Sequence, residues 1–191
     1  MNLKSFVAVT ASAGLLAAGL IGTAAPAFAK TAPKAKAPAI QVITTKLETG
    51  KQDGKKGWPK YVPGTFHAKA GQLVKLTIYS YDDGQAQTPA GYLAVKGTVN
   101  NVEWVDGKKV TKVTEANIAH TMTIMAGNQT INIPIPVRSA KEKFVTVTAE
   151  FKFAKAGTFN WQCYAACGTG KSGWMGPMMT MDWMKGVWHV S

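Results

Sequence analysis

The sequence predicts an all-β protein, either a two-sheet sandwich or a barrel. Beyond residue 39, apolar and polar residues alternate in many short segments, as in strands with one buried and one exposed face. Glycine and proline residues separate these segments, which indicates turns. No segment keeps a helical period of apolar residues for long. Many short strands joined by turns are typical of sandwiches and barrels.

Two segments show the alternation most clearly. In residues 72–79, Val74, Leu76 and Ile78 share one face, and in residues 144–153 every second residue from Val145 onward is apolar. Residues 96–115 are polar and are predicted to form a hairpin that turns at Asp106-Gly107. Further strands are predicted at residues 40–47, 64–69, 92–95, 117–125, 130–135, 158–163 and 186–190.

The N-terminal segments are predicted to lie outside the folded domain. Residues 1–29 match a signal peptide, because an apolar stretch follows Lys4 and Ala27-Phe28-Ala29 fits the cleavage rule. The alternative is an uncleaved membrane anchor, since the apolar stretch approaches the roughly 20 residues that span a bilayer. Either case predicts an extracytoplasmic protein. Residues 30–38 are predicted to be a Lys/Ala/Pro linker, and residues 39–191 form one domain.

The charge pattern excludes some functions and leaves others open. The formal net charge is +12, and the positive residues are scattered along the chain. Such a surface suits an acidic protein partner, anionic lipid or cell-wall polymer. Nucleic-acid binding is not predicted, because no basic stripe with interleaved aromatic residues is present. Hydrolase and phosphate-binding motifs are also missing: residues 168–172 contain a G-K-S string without the first glycine of a phosphate-binding loop.

The strand alternation brings a histidine and a cysteine into the interior. Cys163 shares a strand face with Phe159 and Trp161, whose size indicates that this face is buried. His120 shares a face with Met122 on a different strand. Both side chains are therefore expected to point inward from rigid strands, a placement that suits metal binding.

The same residues resemble the copper-A domain of cytochrome c oxidase subunit II, within the cupredoxin family. The resemblance covers most of residues 64–179 and implies a Greek-key β-sandwich of the cupredoxin type. The matching elements are the strand 120–124, the alternating strand 144–153, the turn Ala156-Gly157-Thr158-Phe159, and the Cys163-x-x-x-Cys167-Gly168 element.

The resemblance also implies a ligand set. In that family two copper ions share two thiolates, one copper also takes an upstream histidine and a methionine, and the other takes a second histidine and a backbone carbonyl. Carried over to this chain, the copper ligands are His120, Cys163 and Cys167, with the backbone carbonyl of Ala165 between the cysteines.

The ligand loop departs from the family at two positions. Lys171 stands at the position of the second histidine and Trp174 at the position of the methionine. A lysine with a reference pKa of ~10.4 is protonated at neutral pH and offers no lone pair to a metal. One copper ion is therefore favoured over two. Met175 is the predicted methionine ligand and Met178 the alternative, since a weak axial methionine is a common device in copper sites.

Other potential metal donors are predicted to lie elsewhere. His67 is expected to face water, and His189 is expected at the opposite end of the sandwich. The segment 173–184 contains five methionines. Met179 and Met181 are expected either to fill the core from the final strand or to bind Cu(I) through their thioethers.

Three functions remain open from the sequence. The first is an exported copper protein that transfers single electrons as a carrier or oxidase-subunit-like module, not a catalyst on its own, with an acidic or haem-containing redox partner. The second is a metal-free cupredoxin-fold binding module with a Cys163–Cys167 disulfide. The third is a Met-rich copper-handling protein.

Overall fold

The computed structural model describes residues 39–49, 58–168 and 176–191. The predicted signal peptide or anchor (1–29) and linker (30–38) lie outside the described residues, as do Lys171, Trp174 and Met175. In the described part of the chain, no helix is both long enough and apolar enough to cross a membrane.

Strands dominate the described ranges, which contain eleven of them and four short 3₁₀ turns. The strands are β1 (Gln41–Glu48), β2 (Lys60–Val62), β3 (Phe66–Ala68), β4 (Leu73–Ser80), β5 (Glu103–Val105), β6 (Lys108–Val110), β7 (Ile118–Ala126), β8 (Gln129–Pro136), β9 (Val145–Lys152), β10 (Gly157–Gln162) and β11 (Lys185–Val190). The 3₁₀ turns are Ala90–Tyr92, Val99–Asn101, Glu115–Asn117 and Gly176–Met179.

The strands form two mixed sheets. One sheet has the order β2-β1-β4-β9-β5-β6 and the other β3-β11-β10-β7-β8. The pairs β1–β4 and β3–β11 are parallel, and the remaining pairs are antiparallel. Because the chain passes repeatedly between the sheets, many neighbouring strands are not consecutive in sequence. The predicted all-β Greek-key sandwich is confirmed.

The core lies between the two sheets. Leu76 and Ile78 of β4 are buried in the same cluster as Met122 of β7 and Trp161 of β10, so the inner faces pack together. The indole Nε1 of Trp161 donates a hydrogen bond to the carbonyl of Gly64 at 2.7 Å. This bond satisfies the polar atom of a large buried ring and ties β10 to the segment before β3.

The second sheet is also covered on its outer face at β7. Asn132 of β8 donates its side-chain amide to the carbonyls of Tyr92 and Ala94, at 2.9 and 2.7 Å. The strand predicted at 92–95 is therefore wrong, because this segment crosses over β8 and makes only one bridge, between Ala94 and Lys112. Thr123 of β7 is buried under this cover.

Two further local predictions have different outcomes. The hairpin is confirmed, since Asp106 and Gly107 connect β5 to β6 with φ angles of 47° and 78°. Positive φ at both positions is the geometry of a tight two-residue hairpin turn. A core position for Met179 and Met181 is wrong. The two residues are 57% and 51% exposed, and both lie before β11 and not on it.

Candidate metal centre

Cys163 lies directly after β10, at the end of the sandwich core. Its backbone N–H donates to the carbonyl of Met184 at 2.8 Å, which continues the pairing of the chain beyond β10. The side chain is fully buried, and Sγ accepts a hydrogen bond from the backbone N–H of Thr121 at 3.4 Å. Cys163 is thus held by its backbone to the residue before β11 and by its thiol to β7.

His120 faces Cys163 from β7. The strand has a register irregularity between Ile118 and His120, after which His120 pairs with Ile135 of β8. The imidazole is buried, and its Nδ1 lies 4.0 Å from Sγ of Cys163. The alternation of β7 therefore brings the ring to the same place as the thiol.

Cys167 reaches the site through a tight loop. Its Sγ lies 3.4 Å from Sγ of Cys163, and both thiols are free. The carbonyl oxygen of Ala165 accepts the N–H of Cys167 at 2.7 Å and lies 3.6 Å from Sγ of Cys163. The ligand atoms of His120, Cys163 and Cys167 all lie within 4.8 Å of one another.

Asp82 completes the site, although no sequence pattern pointed to it. It follows β4 in a turn where its Oδ1 accepts the N–H of Gly84 at 2.9 Å. Its Oδ2 lies 2.6 Å from Nε2 of His120. A metal-binding histidine commonly donates its other ring N–H to a carboxylate, which fixes the tautomer and the ring orientation. Here that arrangement leaves Nδ1 directed at Cys163.

The protonation states follow from this geometry. Burial alone would lower the pKa of His120, but the hydrogen bonds to Asp82 and Cys163 outweigh it and raise the pKa to about 9. Burial would raise the pKa of Asp82, but the hydrogen bond to His120 lowers it. The metal-free site therefore holds an imidazolium between two anionic groups.

The pKa values of the two thiols shift in opposite directions. Burial would raise the pKa of Cys163, but hydrogen bonds from Cys167 and His120 outweigh it and bring this pKa well below its usual value. Burial and the hydrogen bond to Cys163 raise the pKa of the Cys167 thiol. Cys163 is consequently the thiolate of the pair, and a thiolate is the form that binds metals.

The two methionines predicted as ligands have different positions. Met178 lies in the 3₁₀ turn 176–179 and is buried in the same cluster as Cys163 and Cys167. Met175 lies outside the described residues. His67 is exposed, as predicted. His189 pairs with Thr158 at the beginning of β10, so it lies at the end of the sandwich opposite Cys163, also as predicted.

The donor set fits a thiophilic metal ion. The 3.4 Å between the two sulfur atoms and the 4.0 Å between Nδ1 of His120 and Sγ of Cys163 are distances that one ion with bonds of roughly 2.0–2.3 Å can span. Two thiolates with one imidazole suit Cu(I), Cu(II) or zinc better than the hard cations calcium and magnesium. The buried position of all three side chains also limits access of water to the site.

Two tyrosines connect the site with the surface. Tyr164 follows Cys163 in the chain, and its backbone N–H donates to Oγ1 of Thr121 at 2.8 Å. Its ring stacks on that of Tyr92, with centroids 4.2 Å apart and an angle of 1° between the planes. Both rings are half-buried. An almost parallel aromatic pair thus extends from the residue next to Cys163 to the solvent.

No family model matches the chain, and no curated protein is significantly similar to it. Solved structures do match at low similarity. Na-dithionite reduced auracyanin from the photosynthetic bacterium Roseiflexus castenholzii is 13% identical, covers 79% of this chain and 97% of its own, and gives a TM-score of 0.41. Reduced rusticyanin is 13% identical over 82% of each chain, with a TM-score of 0.43.

These neighbours are cupredoxins. At such scores the likeness by itself carries no conclusion about function, and the comparisons do not show the resemblance to the copper-A domain. The function is therefore inferred from the arrangement of His120, Cys163, Cys167 and Asp82.

Proposed function

We propose that this chain is an exported cupredoxin-type copper protein that transfers single electrons through His120, Cys163 and Cys167. The observation that carries the proposal is the meeting of one imidazole nitrogen and two sulfur atoms within 4.8 Å in a buried pocket. A methionine, Met175 or Met178, would complete the ligand set.

Each residue of the site has a definite role in this proposal. Asp82 accepts the Nε2 proton of His120, so that Nδ1 is the nitrogen offered to the metal. Metal binding replaces the proton at Nδ1 and uses the thiolate that Cys163 already favours. Copper would supply the change between Cu(I) and Cu(II).

A single copper ion is part of the proposal. The described donors are one imidazole and two thiols, and Lys171 stands where the copper-A family has its second histidine. The Ala165 carbonyl lies near Cys163 but already accepts the N–H of Cys167. These observations favour one ion over the binuclear centre implied by the resemblance to cytochrome c oxidase subunit II.

The stacked pair Tyr92–Tyr164 is the proposed route for electrons between the metal and a partner. Tyr164 is bonded in the chain to the proposed copper ligand Cys163, and Tyr92 extends the contact toward solvent. The net charge of +12 favours an acidic redox protein as the partner, and the predicted signal peptide supports a location outside the cytoplasm.

The test is copper loading of the purified chain. The proposal expects about one thiolate-bound copper per chain, an intense thiolate-to-copper absorption band that is absent from Cys163→Ser, and reversible one-electron reduction. Two coppers per chain with a shared electron would instead support the copper-A type. A Cys163–Cys167 disulfide with no metal uptake after reduction would reject the proposal and favour a binding module.

The exposed methionines favour a second candidate function, the capture of Cu(I) for delivery. Met179 and Met181 lie in the Met-rich segment, and Met125 is 42% exposed nearby on the surface groove that Met181 also lines. Thioethers are soft ligands that select Cu(I). This function predicts Cu(I) binding that survives Cys163→Ser and is lost when Met179 and Met181 are replaced by leucine.

A further inference from the structure

We propose a second metal site on the outer surface, in which His67 and His189 together bind a divalent transition-metal ion, Cu(II) most tightly. This site is separate from the buried cluster and does not depend on the proposed electron transfer. Its ligands are two histidines that the sequence places far apart and the fold brings onto adjacent strands.

The backbone register places the two histidines side by side. His189 of β11 is directly opposite His67 in the parallel pair β3–β11, and directly opposite Thr158 in the antiparallel pair β10–β11. The three residues form one row across three strands. The neighbours of His67 in β3, Phe66 and Ala68, are buried, so the alternation of the strand directs His67 outward.

The two rings already have the approach that a shared ion needs. Their centroids are 5.3 Å apart and their planes are inclined by 27°. Neighbouring strands lie about 4.8 Å apart, and the two stacked rings belong to exposed residues at a comparable separation. One ring nitrogen from each can therefore reach a common ion through side-chain rotation alone.

Thr158 orients one of the ligands. Its Oγ1 lies 3.3 Å from Nδ1 of His189. When Nδ1–H donates to this oxygen, the lone pair of Nε2 is free for a metal, and a hydrogen-bond partner of this kind is typical of metal-binding histidines. Gln41 holds the backbone at the other ligand. Its side chain donates to the carbonyl of His67 at 2.7 Å and accepts the N–H of Lys69.

The surroundings leave room for an ion and its water ligands. A surface depression of about 330 Å³ is lined by both histidines, Thr158 and Gly157. Imidazole nitrogen suits zinc, copper and nickel, and the general order of affinities puts Cu(II) first. Two protein ligands with open positions make an exchangeable site, unlike a closed structural one.

The site is tested by Cu(II) titration of the full chain, followed by electron paramagnetic resonance, with Ni(II) as a second probe. The wild type should show a tetragonal, nitrogen-ligated Cu(II) signal that is distinct from the thiolate-ligated copper and that persists in Cys163→Ser. His67→Gln and His189→Gln should each weaken this binding by at least about tenfold, since each removes one of two chelating groups. The double variant should lose less affinity than the two single losses added together, because the two histidines act as one chelate.

Lys69→Gln is the matched control, because Lys69 is exposed two residues from His67 and offers no imidazole. Its Cu(II) affinity should equal that of the wild type. Unchanged affinity in either histidine variant would overturn the two-histidine site, as would a loss confined to one of them. The thiolate-to-copper band is a separate signal, so failure of the buried site and failure of the surface site are distinguishable.

Discussion

Oδ2 of Asp82 lies 2.6 Å from Nε2 of His120, and this contact determines which ring nitrogen faces the two cysteines. The carboxylate comes from the turn after β4 in one sheet, and the imidazole comes from β7 in the other. The site is therefore assembled across the sandwich, and its geometry depends on the packing of both sheets. An ordinary surface pair of this type would contribute little, but here the histidine is buried.

Asp82→Asn should weaken copper binding by roughly 10–100-fold, the usual effect of losing the hydrogen-bond partner of a metal-binding histidine. The amide can still occupy the space, but it no longer supplies a negative charge beside Nε2. Competition with a chelator of known affinity measures the change. Asp83→Asn is the control, since Asp83 is largely exposed and pairs with Arg138 instead. Equal effects of the two substitutions would reject the role of Asp82.

Tyr164→Leu should slow electron exchange with an external redox partner several-fold while leaving the copper content unchanged. The substitution removes the ring that stacks on Tyr92 but keeps the backbone N–H that donates to Thr121. Tyr164→Phe retains the ring and should retain the rate. Stopped-flow reduction of the copper-loaded variants measures both rates. A slow Tyr164→Phe variant would show that loss of the stacked ring does not explain the slow rate of Tyr164→Leu.

The buried carboxyl group of Glu103 should lower the free energy of unfolding as the pH rises. It is buried in β5, and within the described residues neither of its carboxylate oxygens has a hydrogen-bond partner. Burial raises the pKa of Glu103 from 4.5 to about 9. Between these values the folded protein keeps a proton that the unfolded chain releases, so the free energy of unfolding falls with rising pH, by at most about 1.4 kcal/mol per pH unit.

Glu103→Gln removes this ionisable group and should flatten the pH dependence across that range. Urea unfolding of both proteins, at steps of about one pH unit between pH 5 and pH 9, measures the difference in their free energies of unfolding. The variant should gain stability relative to the wild type as the pH rises. A difference that stays constant with pH would mean that Glu103 is not protonated in the folded protein.

Gly186→Ala should destabilise the sandwich by about 1–3 kcal/mol or more, the usual cost of overpacking a core. A Cβ at this position would lie 2.3 Å from the carbonyl oxygen of Gly64 and 2.7 Å from Nε1 of Trp161. It would therefore disrupt the hydrogen bond between them. Gly91→Ala is the control, because a Cβ there meets no atom within 4 Å. Thermal unfolding of both variants tests the contrast.

The sequence predicted those parts of the fold that alternation determines. Strands such as 72–79 and 144–153 match β4 and β9 within one residue at each end, because one face of each strand meets the core. The strand β2 was missed, since three residues are too few for a pattern. Thr121 and Thr123 are buried although polar, because a long segment covers the outer face of β7.

The candidate site was predictable only where the residue types themselves indicate metal chemistry. His120 and Cys163 were placed inward by strand register, and the spacing of Cys163 and Cys167 marked the ligand loop. Asp82 could not be found, because an aspartate in a turn ordinarily caps a backbone N–H, as it does here with Gly84. Its second oxygen acquires a role only through contact with the opposite sheet.

X-ray absorption at the copper edge is the most direct measurement of whether His120 and Cys163 bind the same ion. The copper-loaded chain should show both sulfur and imidazole nitrogen in the first coordination shell, with no copper neighbour. Cys163→Ser should lose part of the sulfur scattering, and His120→Gln should lose the imidazole contribution to the thiolate-bound ion. A first shell of nitrogen and oxygen alone, unaffected by either substitution, would contradict the account.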